Sequence, residues 1–79
     1  MSAFYDELRR RYSDPAAFVR ALQMRMRLYG VCQAQLAKAS GFPPPRICGW
    51  LGPHPVGLPD LRTMAILDEA LEKLERGES

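Results

Sequence analysis

Lys38 and Arg46 are the two cations of Val31–Gly52, VCQAQLAKASGFPPPRICGWLG, a stretch that reads as a helix, a tight turn and a second short helix. A lysine ammonium can meet a phosphate oxygen. A guanidinium can grip the edge of a guanine through two parallel hydrogen bonds. Pro43, Pro44, Pro45 and Gly49 surround Arg46 and bring no hydrogen-bonding side chain. The prolines offer a rigid shape and an apolar contact, such as one to a thymine methyl group.

Catalysis has no comparable foothold. His54 stands without a carboxylate, serine or cysteine close by in sequence, and acid–base chemistry needs a positioned partner. There is no phosphate-cradling glycine loop and no carboxylate pair in a catalytic context. Cys32 and Cys48 lack the spacing of a zinc site and have no histidine partners. They read as reduced thiols serving as small, half-buried packing residues. Cys32 falls near a helix start, where a thiolate is favoured. The expectation is a protein that is not an enzyme and uses no metal and no cofactor.

The elements that position these residues follow from the rest of the chain. Seventy-nine residues make one small domain, 1–79, with a small core. An apolar share of 47% is enough to fold. No apolar run approaches the roughly 20 residues that span a bilayer. The opening MSAFYDELRRR puts acids and arginines where a signal peptide needs an apolar stretch, so a cytoplasmic location is expected. The net charge of +2 conceals an asymmetry. Residues 1–50 are basic, with seven arginines and Lys38 against Asp6, Glu7 and Asp14. Residues 51–79 are acidic, with Asp60, Asp68, Glu69, Glu72, Glu75 and Glu78 outweighing Arg62, Lys73 and Arg76. A basic front and an acidic back suit a domain that meets a polyanion on one side.

Hydrophobic spacing predicts five helices and no strand. Phe4, Leu8 and Tyr12 form one stripe on a helix of about 2–12. Asp14 and Pro15 cap and open a second helix ending at Tyr29, with Phe18, Leu22, Met26 and Tyr29 facing the core and Gly30 as the stop. A third runs from about Cys32 to Ser40, with Leu36, Ala37 and Ala39 as its compact apolar side. Gly41 ends it in a conformation of positive φ, and Phe42 plugs the turn. Pro44–Leu51 forms the fourth, anchored by Ile47 and Trp50, with prolines in a first turn whose N–H groups have no intrahelical partner anyway. Gly52–Pro59 is a loop. The last helix spans about 60–76 from an Asp60 cap, and Leu61, Met64, Leu67, Leu71 and Leu74 make a near-heptad seam. That seam is longer than a small core demands. Leu71 and Leu74 are therefore expected to pack on a second copy.

The string Gln33-Ala34-Gln35-Leu36-Ala37-Lys38, then Gly41, then Ile47 and Trp50, then a Leu-rich final helix, resembles the phage Cro and lambda-repressor-like helix-turn-helix family. The likeness covers about Ala21 to Leu74, with the motif at about 32–51. It implies an all-α, five-helix domain whose second motif helix enters the major groove of double-stranded DNA. It implies a phosphate contact at Gln33, and base-reading positions at Pro43, Pro44, Pro45, Arg46 and Gly49. Among these, Arg46 alone can make the bidentate contact. Lys38 is a further phosphate candidate.

The expected function is a repressor-like, DNA-binding transcription regulator of a phage or mobile element, a homodimer on a short inverted repeat. The alternative is the same scaffold turned to a protein partner, as an anti-activator or inhibitor of a host complex, through the proline-stiffened surface Phe42–Gly49. An antitoxin-like role would combine the two.

Overall fold

The computed structural model describes Asp6, residues 9–52 and residues 57–77. Four helices have described bounds: α1, Pro15–Tyr29; α2, Gln33–Ser40; α3, Pro44–Leu51; and α4, Leu61–Glu75. Residues 9–11 ahead of α1 are also helical, and no strand occurs among the described residues. The protein is all-α. Phe4, Leu8 and His54 lie outside the described residues, and so does most of the expected 2–12 helix.

Local chemistry sets the helix starts. The Asp14 carboxylate accepts from the Ala17 backbone N–H at 3.2 Å, and Pro15 fills the first helical position, where a missing N–H costs nothing. Asp60 opens α4 in the same way, accepting from Thr63 N–H at 2.8 Å. Charge stabilisation by that contact holds the Asp60 carboxyl below the usual range. α2 has no such residue in front of it. There the Gln35 side chain reaches back and accepts from Cys32 N–H at 2.8 Å.

The core is one cluster contributed by all four helices: Val19, Leu22 and Met26 of α1, Leu36 and Ala37 of α2, Ile47 and Leu51 of α3, and Leu67, Ala70 and Leu71 of α4. α2 packs most extensively on α4, because Ala37 and Ala70 let the two backbones approach. α1 lies against α3 and α4.

Three expectations about this core are corrected. Leu71 is completely buried inside the chain, and Leu74 is half-buried against the same cluster. The seam of α4 is thus absorbed by α1 and α2, and Leu71 has no surface to give a second copy. Tyr29 is 58% exposed, while Val19 takes the inward place on α1. On a 3.6-residue helix Val19, Leu22 and Met26 share one narrow face, whereas Tyr29 ends the helix and projects past the core. Trp50 is half-buried, and Leu51 holds the deep position at the end of α3.

The contact between α1 and α4 has a charged edge. Asp68 sits on the buried face of α4 between Leu67 and Leu71. It accepts from the Tyr12 hydroxyl at 2.6 Å and from Arg25 at 2.8 Å. Arg25 also donates to Glu75 at 2.8 Å, and Arg11 stands 3.7 Å from Asp68. Burial alone would raise the Asp68 pKa, but the Tyr12 and Arg25 hydrogen bonds and the nearby cations outweigh it and hold the carboxyl below its usual range. Burial and the Asp68 bond push the Tyr12 phenol up to about 12.

Candidate functional site

α2 and α3 are joined by Gly41, Phe42 and Pro43, and the turn is tightly specified. Gly41 has φ +84, which glycine adopts without strain, and its N–H donates to Ala37 C=O at 2.9 Å. The Ser40 hydroxyl accepts from Phe42 N–H at 3.3 Å. Phe42 then packs edge-on against Trp50, with ring centroids 5.2 Å apart at 85°. Ile47 is fully buried, so α3 is fixed in rotation about its own axis.

That rotation decides what α3 shows to solvent. Pro43, Pro44, Pro45, Arg46 and Cys48 are exposed, and Gly49 is half-exposed. Opposite Ile47 on the helix lie Pro45 and Gly49, so the outward ridge carries no hydrogen-bonding side chain. Arg46 flanks this ridge, its guanidinium 5.7 Å from the centroid of Trp50. Such cation–π stacking restrains a long side chain that would otherwise sample many rotamers. Pro44 projects to the other side of α3. There it lines a shallow cleft of about 410 Å³ with Ala34, Ala37, Lys38, Gly41, Phe42 and Pro43. Lys38 is exposed and forms no ion pair among the described residues. Two cations therefore border an apolar ridge, one on each rim.

The start of α3 is poor in donors. Pro44 and Pro45 have no N–H, and Arg46 N–H is bonded to Pro43 C=O at 2.9 Å. The start of α2 differs, because its first N–H groups have no intrahelical partner. Gln33 lies there, half-buried, and lines a second cleft of about 300 Å³ with Gln23, Met26, Arg27, Val31, Cys32 and Leu51. Gln23 spans this cleft's wall, donating to Leu51 C=O at 2.9 Å and tying α3 to α1. The end of α3 is equally fixed. A Cβ at Gly52 would stand 2.5 Å from the Cys48 carbonyl oxygen, so glycine alone fits.

Gln33, Lys38, the three prolines, Arg46 and Gly49 thus fall on one two-helix unit. Leu71 does not contribute to any surface. Sequence reasoning missed Arg27 beside Gln33, and it misjudged the cysteines. Both Cys32 and Cys48 are exposed free thiols, because one caps α2 from outside the helix and the other flanks the outward ridge of α3. No group of histidine, cysteine or acidic side chains among the described residues could hold a metal ion. No helix among the described residues is long and apolar enough to cross a membrane. Set beside known protein families, curated proteins and solved structures, the chain matches none of them.

Proposed function

We propose that the chain is a lambda-repressor-like helix-turn-helix protein that binds double-stranded DNA with α2 and α3, as a regulator of the kind phages and mobile elements encode. The observation that carries this reading is the bare, proline-stiffened ridge of α3 flanked by Lys38 and Arg46, beside the open N-terminus of α2. Phosphate contacts come from Lys38, from Gln33 and from the free N–H groups of α2. Base contact falls to Arg46, with the prolines touching methyl groups in the groove. Such an interface is rich in backbone contacts and poor in base contacts, so its affinity depends on salt and its sequence preference is weak. The acids of α4 keep the opposite side off the phosphates. A homodimer on an inverted repeat belongs to this proposal, with its contact formed by residues other than Leu71.

The test is binding of the purified chain to double-stranded DNA over a range of salt concentrations. The expected result is a log–log salt plot of negative slope, which Lys38→Ala makes shallower by about one unit. Arg46→Ala should cost about 1–3 kcal/mol and relax preference at one base position. Absence of DNA binding, specific or not, overturns the proposal and leaves protein recognition through Phe42–Gly49 as the reading.

A further inference from the structure

A helix on the surface of a small protein ordinarily turns a polar face to water. α1 does not. Its outward strip is Ala21, Met24 and Leu28, and Met24 and Leu28 are 65% and 76% exposed. Arg20 and Arg27 border the strip, both exposed and outside every ion pair among the described residues. α1 contains no acidic residue, and its third cation, Arg25, is already engaged by Asp68 and Glu75. The face is therefore apolar along its centre and positive along its edge, with no counter-charge of its own.

We propose that this face of α1 docks an acidic amphipathic helix of another protein. Apolar side chains of the partner cover Met24 and Leu28, and its flanking carboxylates pair with Arg20 and Arg27. Helix recognition of this kind runs on anchors four residues apart, and methionine adapts to varied partners. Charge selects this occupant. Two copies joined through α1 would oppose four arginines with no acid between them. The exposed acids of α4, Glu69 and Glu72, already face Lys73 and Arg76 on their own helix, so α4 of a second copy offers little free negative charge. A nucleic acid would use the arginines and leave Met24 and Leu28 uncovered. The apolar strip stands apart from DNA binding, because Met24 and Leu28 belong to neither α2 nor α3, while Arg27 also borders the cleft of Gln33.

Titrating the full chain, ¹⁵N-labelled, with two designed helical peptides of about 18 residues (roughly five turns) tests it. Both peptides carry the same leucine strip, one flanked by glutamates and the other by lysines. The glutamate peptide should shift the amides around Arg20, Met24, Arg27 and Leu28, and the lysine peptide should bind at least about tenfold more weakly. Arg20→Glu with Arg27→Glu should reverse that preference. Met24→Ser with Leu28→Ser should abolish binding of either peptide while leaving the thermal melt and any DNA affinity unchanged. No response to the glutamate peptide, equal binding of both peptides, or shifts centred on α2 and α3 would each overturn the proposal. So would concentration-dependent broadening of the same α1 amides without peptide, which would make the occupant a second copy. Displacement of the Met24 and Leu28 amides by anionic lipid vesicles but not by the glutamate peptide would overturn it in favour of a bilayer.

Discussion

α4 is held on its two sides by different physics. Toward α2 it presents Leu67, Ala70 and Leu71 to Leu36 and Ala37, an apolar contact with almost no exposure. Toward α1 and Tyr12 it presents Asp68 and Glu75, which are satisfied by a phenol and by one arginine serving both carboxylates. The apolar side depends on shape and is indifferent to pH. The charged side depends on protonation, and its worth is limited by the cost of burying ions. The two-helix unit that carries the candidate interface is built on the first kind of contact, so its geometry should outlast changes that loosen the second.

The sharpest way to break the comparison is to hollow out the apolar side. Leu36→Ala should cost about 2–5 kcal/mol, because a fully buried leucine leaves both lost transfer energy and a cavity. That loss should be the same at acid and neutral pH in urea melts. A loss that varies strongly with pH would show that the two sides are not separate.

Asp68→Asn keeps the shape and removes the charge. It should cost about 2–3 kcal/mol, less than a fully buried pair, since Arg25 is about one-third exposed and remains bonded to Glu75. Urea denaturation at neutral pH measures it. An effect near zero would mean that burial of the carboxylate cancels its pairing.

The pH profile separates the sides further. The Asp68 pKa is lowered on folding, so its contribution is present above the ordinary carboxylate range near 4 and fades as pH falls through the folded value. The Tyr12 pKa is raised, so its contribution is complete below about 10 and is lost as pH rises toward about 12. The parent should therefore weaken at both extremes. Asp68→Asn should flatten the acid limb. Tyr12→Phe should flatten the alkaline limb and cost about 1 kcal/mol at neutral pH, the worth of one hydrogen bond. Leu36→Ala should leave both limbs in place.

The smallest effect belongs to the Phe42–Trp50 contact, which braces the turn between α2 and α3. A double-mutant cycle with Phe42→Leu and Trp50→Leu should give a coupling of about 0.5–1.5 kcal/mol, typical of an edge-on aromatic pair. A coupling that changes between pH 5 and 8 would contradict the assignment of this region to shape alone.

Much of the backbone was legible in the sequence for local reasons. Asp14 with Pro15, Gly30, Gly41 and Asp60 mark helix ends because their effects act within one turn of the chain, and α1 and α3 run between the residues that spacing indicated. The polar members of the candidate site were legible too, since Gln33, Lys38 and Arg46 stand on adjacent short helices. Asp68 was a readable signal left unused: a carboxylate on the inward face of a leucine seam requires a cation opposite. Nothing local named Arg25 as that cation, because the partners are 43 residues apart.

The sequence by itself determined the helices, their caps and the narrow turn at Gly41, because propensity, capping and φ are settled by neighbours along the chain. Only the tertiary structure decided which apolar residues are core. Leu71 is inside because α1 and α2 converge on α4, and a seam read along one helix cannot show how many neighbours will cover it. Met24 and Leu28 are outside because Val19, Leu22 and Met26 fill the inward side of α1. Hydrophobicity states that a side chain gains by leaving water; the packing of other helices around it decides whether it can.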